Sequence, residues 1–484
     1  MSITSAMTNA LSGLAANARA AEIVSSNVAN ALTEGYARRE LVLSAQNLGG
    51  RGAGVRVDGI ARAVNQSVLN DKRLADAAAS HAGLRGEFEL RVEQSIGDPG
   101  ESGSLGGRIA AFEAAIAHAA SRPDSEARLQ SVMSAAADLA GKLRGIQSEI
   151  QAARSAADAR IGREVDELNA ALGEVDGLNT QIVAERAAGR DASALFDQRQ
   201  AIVDRIAMIV PLREAARDRD QIALFTTGGA VLLDGRPAAI GFSPAGQITP
   251  DMTLGSGALS ALTVNGQPVL STETGPLGGG SLGAALAVRD DLGPDWQAQI
   301  DAVARDLVER FESPAVDPTR APGQPGLLTD AGLALDSMHE AGLAGRISVN
   351  AGVDPSRGGA LWRLRDGLGA AGPGSPGDAT LLLACADALS EGRIPASGRF
   401  VGAARSASGL AADVLSQAAS ERLRGEERSA YLASRQQSLA SLHLENGVDT
   451  DAEMQRLLLI EEAFAANARV IQTLDDLLQQ IMRL

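Results

Sequence analysis

A single cysteine, Cys385, occurs in 484 residues, which excludes an intrachain disulfide framework and a cysteine-based zinc cluster. It lies in the apolar run Leu381–Leu382–Leu383–Ala384–Cys385–Ala386 and reads as a buried core thiol. Aromatic residues make up only 2% of the chain, while alanine is abundant and the 53 glycines cluster mainly in the middle and in linkers. That balance suits long, thin helical packing better than one thick core. Lysine is confined to Lys72 and Lys142, and the arginines are interspersed with acids. The net charge of -16 argues against a nucleic-acid partner, whose phosphates need a basic face. No apolar run approaches the ~20 residues that span a bilayer, so no membrane partner is expected. The first residues lack the basic and apolar regions of a cleavable signal peptide. Taken alone, these absences place the chain in the cytoplasm.

Catalytic and metal-binding patterns are also missing. His81, His118, His339 and His443 stand apart, without a second histidine at ligand spacing. Gly141–Lys142 lacks the remaining residues of a phosphate loop. Gly52, Gly54 and Gly59 have the wrong spacing for a dinucleotide turn. The adjacent acids Asp290–Asp291 and Glu461–Glu462 point apart on a helix. The chain is expected to be no enzyme and to need no cofactor or metal.

What is present is a pair of matching apolar stripes. Near the N-terminus Ile3, Met7, Ala10, Leu14, Asn17, Ala21, Val24 and Val28 recur in steps of four and three. Leu457, Ile460, Phe464, Asn467, Ile471, Leu474, Leu478 and Ile481 do the same near the C-terminus. Seams of this period let two helices wind around each other or around neighbouring copies. An antiparallel pair with residue numbers summing to about 484 sets Asn17 beside Asn467, where two amides can satisfy each other. Alternatively, both face solvent or another subunit.

Between the stripes, the first helix should end near Asn30 to Leu32, with Thr33–Glu34–Gly35 as its turn. Gly49 to Gly54 is a glycine-rich link, followed by a short strand, Val55–Asp58, and a helix from Ile60 to about Ile96. Further helices are expected over 105–120, 124–187, 194–210, 281–311, 378–389 and 404–444, with a strand at 346–350 and Glu445–Asn446–Gly447 as linker. Residues 221–280 alternate short apolar runs with turn residues, and Asp234–Gly235 and Asn265–Gly266 are hairpin signals. Thr450–Asp451–Ala452–Glu453 reads as a capping box. The expected fold class is mainly α, elongated and nested. Residues 1–45 with 447–484 form terminal coiled-coil helices, 46–214 with 281–446 a long-helix bundle domain, and 215–280 a small β-rich insert.

The segment Ser25 to Arg38, containing Asn27, Asn30, Gly35 and Tyr36, resembles the N-terminal signature of bacterial flagellar rod, hook and hook-associated axial proteins. Leu32 and Glu34 replace a usual Asn and Pro. Gly447 to Glu453, Phe464 to Ala468 and Ile471 to Thr473 resemble the C-terminal signature of the same family. Within the interior, Leu195–Gln200 and Gly278 to Asp290 are similar to segments of the hook-associated members that join hook to filament. The resemblance implies a structural, self-assembling component that leaves through the flagellar type III channel, which overturns the cytoplasmic expectation. It implies as partners copies of itself in a ring, the hook protein, the next junction protein toward the filament and a flagellar export chaperone. The terminal seams and signatures would be its assembly residues. A cytoplasmic coiled-coil scaffold, or another hook or rod protein, is the competing expectation.

Overall fold

The computed structural model describes residues 3–33, 35–48, 51–400, 402–445 and 447–482. Glu34 of the expected turn, Gly49 and Gly50 of the glycine-rich link and Asn446 of the linker lie outside the described residues. The chain is mainly α. Helix α1 (Ile3–Ala29) is followed by a hairpin of β1 (Arg39–Leu48) and β2 (Arg51–Arg62). Then come α2 (Gln66–Ile96), α3 (Leu105–Ser121), the 62-residue α4 (Glu126–Ala187) and α5 (Ser193–Ile209). Six short strands follow: β3 (Leu212–Ala216), β4 (Ile222–Thr226), β5 (Val231–Leu233), β6 (Ile240–Gly241), β7 (Thr263–Val264) and β8 (Gln267–Pro268). Helices α6 (Gly280–Ala287) and α7 (Gly293–Glu312) are joined by a π-turn at Val288–Leu292. The remainder is β9 (Leu328–Asp330), α8 (Leu343–Arg346), β10 (Ile347–Val349), α9 (Arg363–Asp366), α10 (Thr380–Ser390), α11 (Ala407–Glu445) and α12 (Thr450–Met482).

The long helices start and stop where turn chemistry dictates. Ser104 caps α3 by accepting from the Gly107 N–H at 3.0 Å. Asn265 and Gly266, with φ of 51° and 77°, supply the two left-handed residues of the tight β7–β8 turn. Asp234–Gly235 likewise turns the chain after β5. The helix expected over 281–311 forms over 280–312, with one π-helical turn at Val288–Leu292. The π-turn swings Arg289 inward, where it is fully buried, 2.9 Å from Asp158 and paired with Asp290. Asp158 also accepts from the Ala245 N–H at 2.6 Å, so this ion pair anchors the loop after β6. Interior apolar periodicity carried no sign of that π-helical turn, because an inserted residue leaves a mostly buried helix apolar all round.

Chain contacts divide the molecule into two compact units. The terminal unit comprises 1–80, 166–240 and 431–484; the central unit comprises 81–165 and 241–430. Residues 46–80 and 166–214 therefore go with the terminal helices. Residues 215–280 contribute to both units. The sheet β3–β4–β5 lies in the terminal unit, and β7 and β8 of the sheet β6–β7–β8 lie in the central unit. The terminal unit's core is built from Leu172, Val175 and Ile182 of α4, Val203 and Ile206 of α5, and Leu224 and Leu232. In the central unit the buried apolar side chains include Ile109, Phe112 and Ile116 of α3, Leu139, Leu143 and Ile146 of α4, and Ile300, Val303 and Leu307 of α7. The Phe112 and Phe311 rings meet at 5.8 Å there. Cys385 is buried as expected, and burial pushes its thiol up to about 12. A helix from Ile60 is replaced by strand: β2 runs to Arg62 and α2 begins only at Gln66. Pairing along β1 and packing on α1 override the local helical pattern.

Candidate assembly surface

Helix α1 packs antiparallel on α12, and the hairpin lies against α1. Along the seam, Ala10 and Val24 are buried; Ile3, Met7, Leu14, Asn17, Ala21, Leu457, Ile460, Asn467 and Ile471 are half-buried; Leu474 sits at the buried limit. Four expected seam residues are instead exposed: Val28, Phe464, Leu478 and Ile481. Ile23 and Ala16, which the stripe omitted, are buried. Two contacts define the register. A Cβ on Gly13 would lie 2.8 Å from Asn467 Nδ2, and Asn27 Nδ2 donates to Glu453 Oε2 at 3.0 Å. Both pairs sum to 480, about one helical turn from the expected 484. Asn467 thus fills the space over a glycine rather than meeting Asn17, whose Nδ2 is buried without a hydrogen bond. The expected amide pair does not form. A missing side chain and a buried carboxylate outweigh the apolar stripe in choosing the alignment.

Asn27 is the centre of the site. It is fully buried, and its amide uses its whole hydrogen-bonding capacity. Nδ2 donates to the Arg39 carbonyl at 2.9 Å as well as to Glu453. Oδ1 accepts from the Arg39 N–H and from the Tyr36 hydroxyl, each at 2.9 Å. One side chain therefore ties together the end of α1, the following turn, the start of β1 and the first turn of α12. Tyr36 is clamped in turn, with the Arg39 guanidinium 4.9 Å from its ring centre. Asn30 closes α1 locally: its Nδ2 donates to the Ser26 carbonyl at 2.9 Å, and its Oδ1 accepts from Thr33.

Glu453 does not complete a capping box. Asp449 caps α12, accepting from the Asp451 and Ala452 N–H groups at 2.9 and 3.1 Å. That leaves Glu453 free to turn inward, where it is 2% exposed and faces Arg38 and Arg456 at 3.8 and 3.4 Å. The Asp at the correct distance before the helix was visible in the sequence; the inward turn was not.

The family-like segment on α5 receives the other side of this knot. Asp197 accepts from the Ala37 N–H at 3.2 Å, from Arg62 at 2.8 Å and from Arg39 at 3.1 Å. A single carboxylate thereby holds the first residue of β1 and the last of β2. Arg62 also donates to Gln200 at 2.8 Å, and burial lowers its pKa. Gly35, at φ 78°, brings the turn so close to α5 that a Cβ would stand 3.3 Å from that of Ala201. Asp197, Arg39, Arg62 and Glu453 were not legible as a cluster, because charged residues have no periodic signal.

The other face of α12 is bare. Leu459, Ala463, Ala466, Val470, Thr473 and Leu477 repeat in steps of four and three, and all are exposed. On a helical projection this second stripe lies roughly 100° from the seam. Among the described residues no group of three or more His, Cys, Asp or Glu is placed to hold a metal ion, and no helix is long and apolar enough to cross a membrane.

Comparison with known proteins follows the same division of the chain. Residues 7–36 match the family described as flagella basal body rod protein, and 445–484 the flagellar basal body rod FlgEFG protein C-terminal family. Residues 90–326 match the flagellar hook-associated protein FlgK helical domain. Flagellar hook-associated protein 1 of Salmonella typhimurium is 26% identical over 243 residues, covering 49% of this chain and 44% of that protein. The Escherichia coli protein of the same name is 24% identical over the same shares, and that of Bacillus subtilis 22% over 46% of each chain. The matched part thus spans less than half the length of these relatives. Among solved structures, the flagellar hook junction protein FlgK from Burkholderia pseudomallei is similar at 18% identity and a TM-score of 0.45, over 54% of this chain and 47% of that one. With rod-type sequences at both ends and a match to the flagellar hook-associated protein FlgK helical domain between them, the chain is similar in its organisation to flagellar hook-associated protein 1.

Proposed function

We propose that this chain is a structural, non-enzymatic adaptor at the junction of hook and filament, built into the flagellum by its terminal helices. The observation that carries the reading is the second apolar stripe on α12. Leu459 is 65% exposed and Leu477 48%, on a helix whose other face is already paired with α1. Scattered exposed apolar residues are ordinary, but a heptad-spaced row of them is the pattern a further helix packs against. Copies of the same chain, arranged in a ring, supply that helix. The hook protein on one side, the next junction protein on the other and an export chaperone before assembly complete the partners. Export proceeds through the flagellar channel. The match over 90–326 favours a hook-associated component over a hook or rod protein, whose ends are similar.

The test replaces Leu459 and Leu477 together by Glu. Because both side chains are exposed, thermal unfolding of the purified chain should move little. Cells carrying the variant should release filaments and leave the chain absent from sheared flagellar fractions. Normal filaments in that strain would defeat the proposal.

A further inference from the structure

Within the central unit, residues of α2, α7 and α11, with Leu292 and Arg399, line an open cleft of about 360 Å³, within the range of small-molecule sites. Trp296, 4% exposed, and Leu292 give it an apolar wall. Four arginines reach it, and two of them are already committed. Arg399 pairs with Asp295 and Glu421, and Arg85 with Glu273. Arg424 and Arg428, one turn apart on α11, stand exposed at the rim. Among the described residues neither has an ion-pair partner, and the Arg424 Nε donates only to the Ser420 carbonyl of its own helix. The acid left on the wall is Glu89, whose Oε2 is buried without a hydrogen bond. Burial raises its carboxyl above the ordinary range, against the pull of Arg85, Arg424 and Arg428. In a chain of net charge -16, this pocket sets two exposed guanidinium groups without an ion-pair partner among the described residues on the same wall as Glu89, with Trp296 also in the lining.

We propose that this cleft binds a small organic anion, a carboxylate on a flat apolar body, with the carboxylate held by Arg424 and Arg428 and the body against Trp296 and Leu292. Guanidinium groups match a carboxylate in charge and fork geometry, and an indole wall rewards a flat partner. This site is independent of the terminal surface and of the assembly reading.

The probe is benzoate, titrated at low salt into the full chain carrying Trp362→Phe, which leaves Trp296 as the sole tryptophan. Saturable change in its emission is expected. Arg424→Ala with Arg428→Ala should weaken binding roughly tenfold or more while circular dichroism stays the same. Benzyl alcohol, lacking the charge, and sulfate, lacking the apolar body, should each bind at least about tenfold more weakly. Saturation-transfer NMR of benzoate on the chain with both tryptophans gives the same reading if Trp362→Phe disturbs folding. The proposal falls if benzoate shows no saturable binding, if the double arginine variant binds it equally, or if either control binds as well.

Discussion

At the scale of single residues, the terminal unit depends on one amide placed where no ordinary helix end needs it. Asn27→Asp keeps the size but exchanges the Nδ2 donor for an acceptor facing the buried Glu453 carboxylate. Two like charges at that distance, with the Arg39 carbonyl left unpaired, should cost about 2–4 kcal/mol. Glu453→Gln in the same chain should regain much of the loss, since an amide can donate where the carboxylate could not. A double-mutant cycle by denaturant unfolding checks this, and additive losses would mean that the pair is not coupled. A second residue-scale expectation concerns acid. Glu273, beside His81 at 2.9 Å and Arg85 at 2.8 Å, is held down to about 2 from an ordinary 4.5, by the His81 ring first. A carboxyl depressed in the folded state adds stability that is present above its unfolded pKa and lost as pH falls through the folded one. Stability should therefore decline from about pH 4.5 toward pH 2, and Glu273→Gln should flatten that slope in acid titrations followed by circular dichroism. An unchanged slope would assign acid sensitivity elsewhere.

At the scale of elements, the hairpin shows how a sequence pattern is overruled. Only Val55–Asp58 read as strand, yet β2 is twelve residues long, and nine of them pair with β1 in an irregular register. The reason lies at Gly54, with φ 97°, where a Cβ would stand 2.0 Å from Ser12 Oγ. That hydroxyl accepts from the Val55 N–H at 3.1 Å, so glycine allows the hairpin to lie directly on α1. Gly54→Ala should lift it away, costing on the order of 2 kcal/mol through the left-handed backbone and the lost contact. Hydrogen exchange in residues 41–47 and 52–57 should accelerate, with α3 unaffected. Protection equal to that of the parent chain would show that the hairpin is held elsewhere.

At the scale of the whole molecule, burial is distributed unevenly. Helix α7 buries fourteen of its 20 residues, whereas α12 buries only Glu453 and Leu474 of 33. Local opening follows buried contacts, so amides of α12 beyond Ile460 should exchange orders of magnitude faster than those of α7 in dilute chain. Incorporation into flagella should slow them, because neighbouring copies would then cover the second stripe. Equal protection of the two helices in the dilute chain would rule out coupling between assembly and folding.

The sequence alone determined the long helices, most of their ends and the two apolar seams, because helical periodicity, glycine, proline and capping residues act within a few neighbours. The terminal signatures were likewise legible, since Asn27, Gly35 and Tyr36 stand close together in the chain. Tertiary structure decided the rest. The one-turn register shift came from the Asn467 side chain finding room at Gly13, and the knot at Asn27 from Glu453 turning inward, 426 residues away. Asp197 meeting Arg39 and Arg62, and the split of 215–280 between two sheets, were settled in the same way. Each depends on which polar group meets which in space, and such pairings leave no periodic trace along the chain.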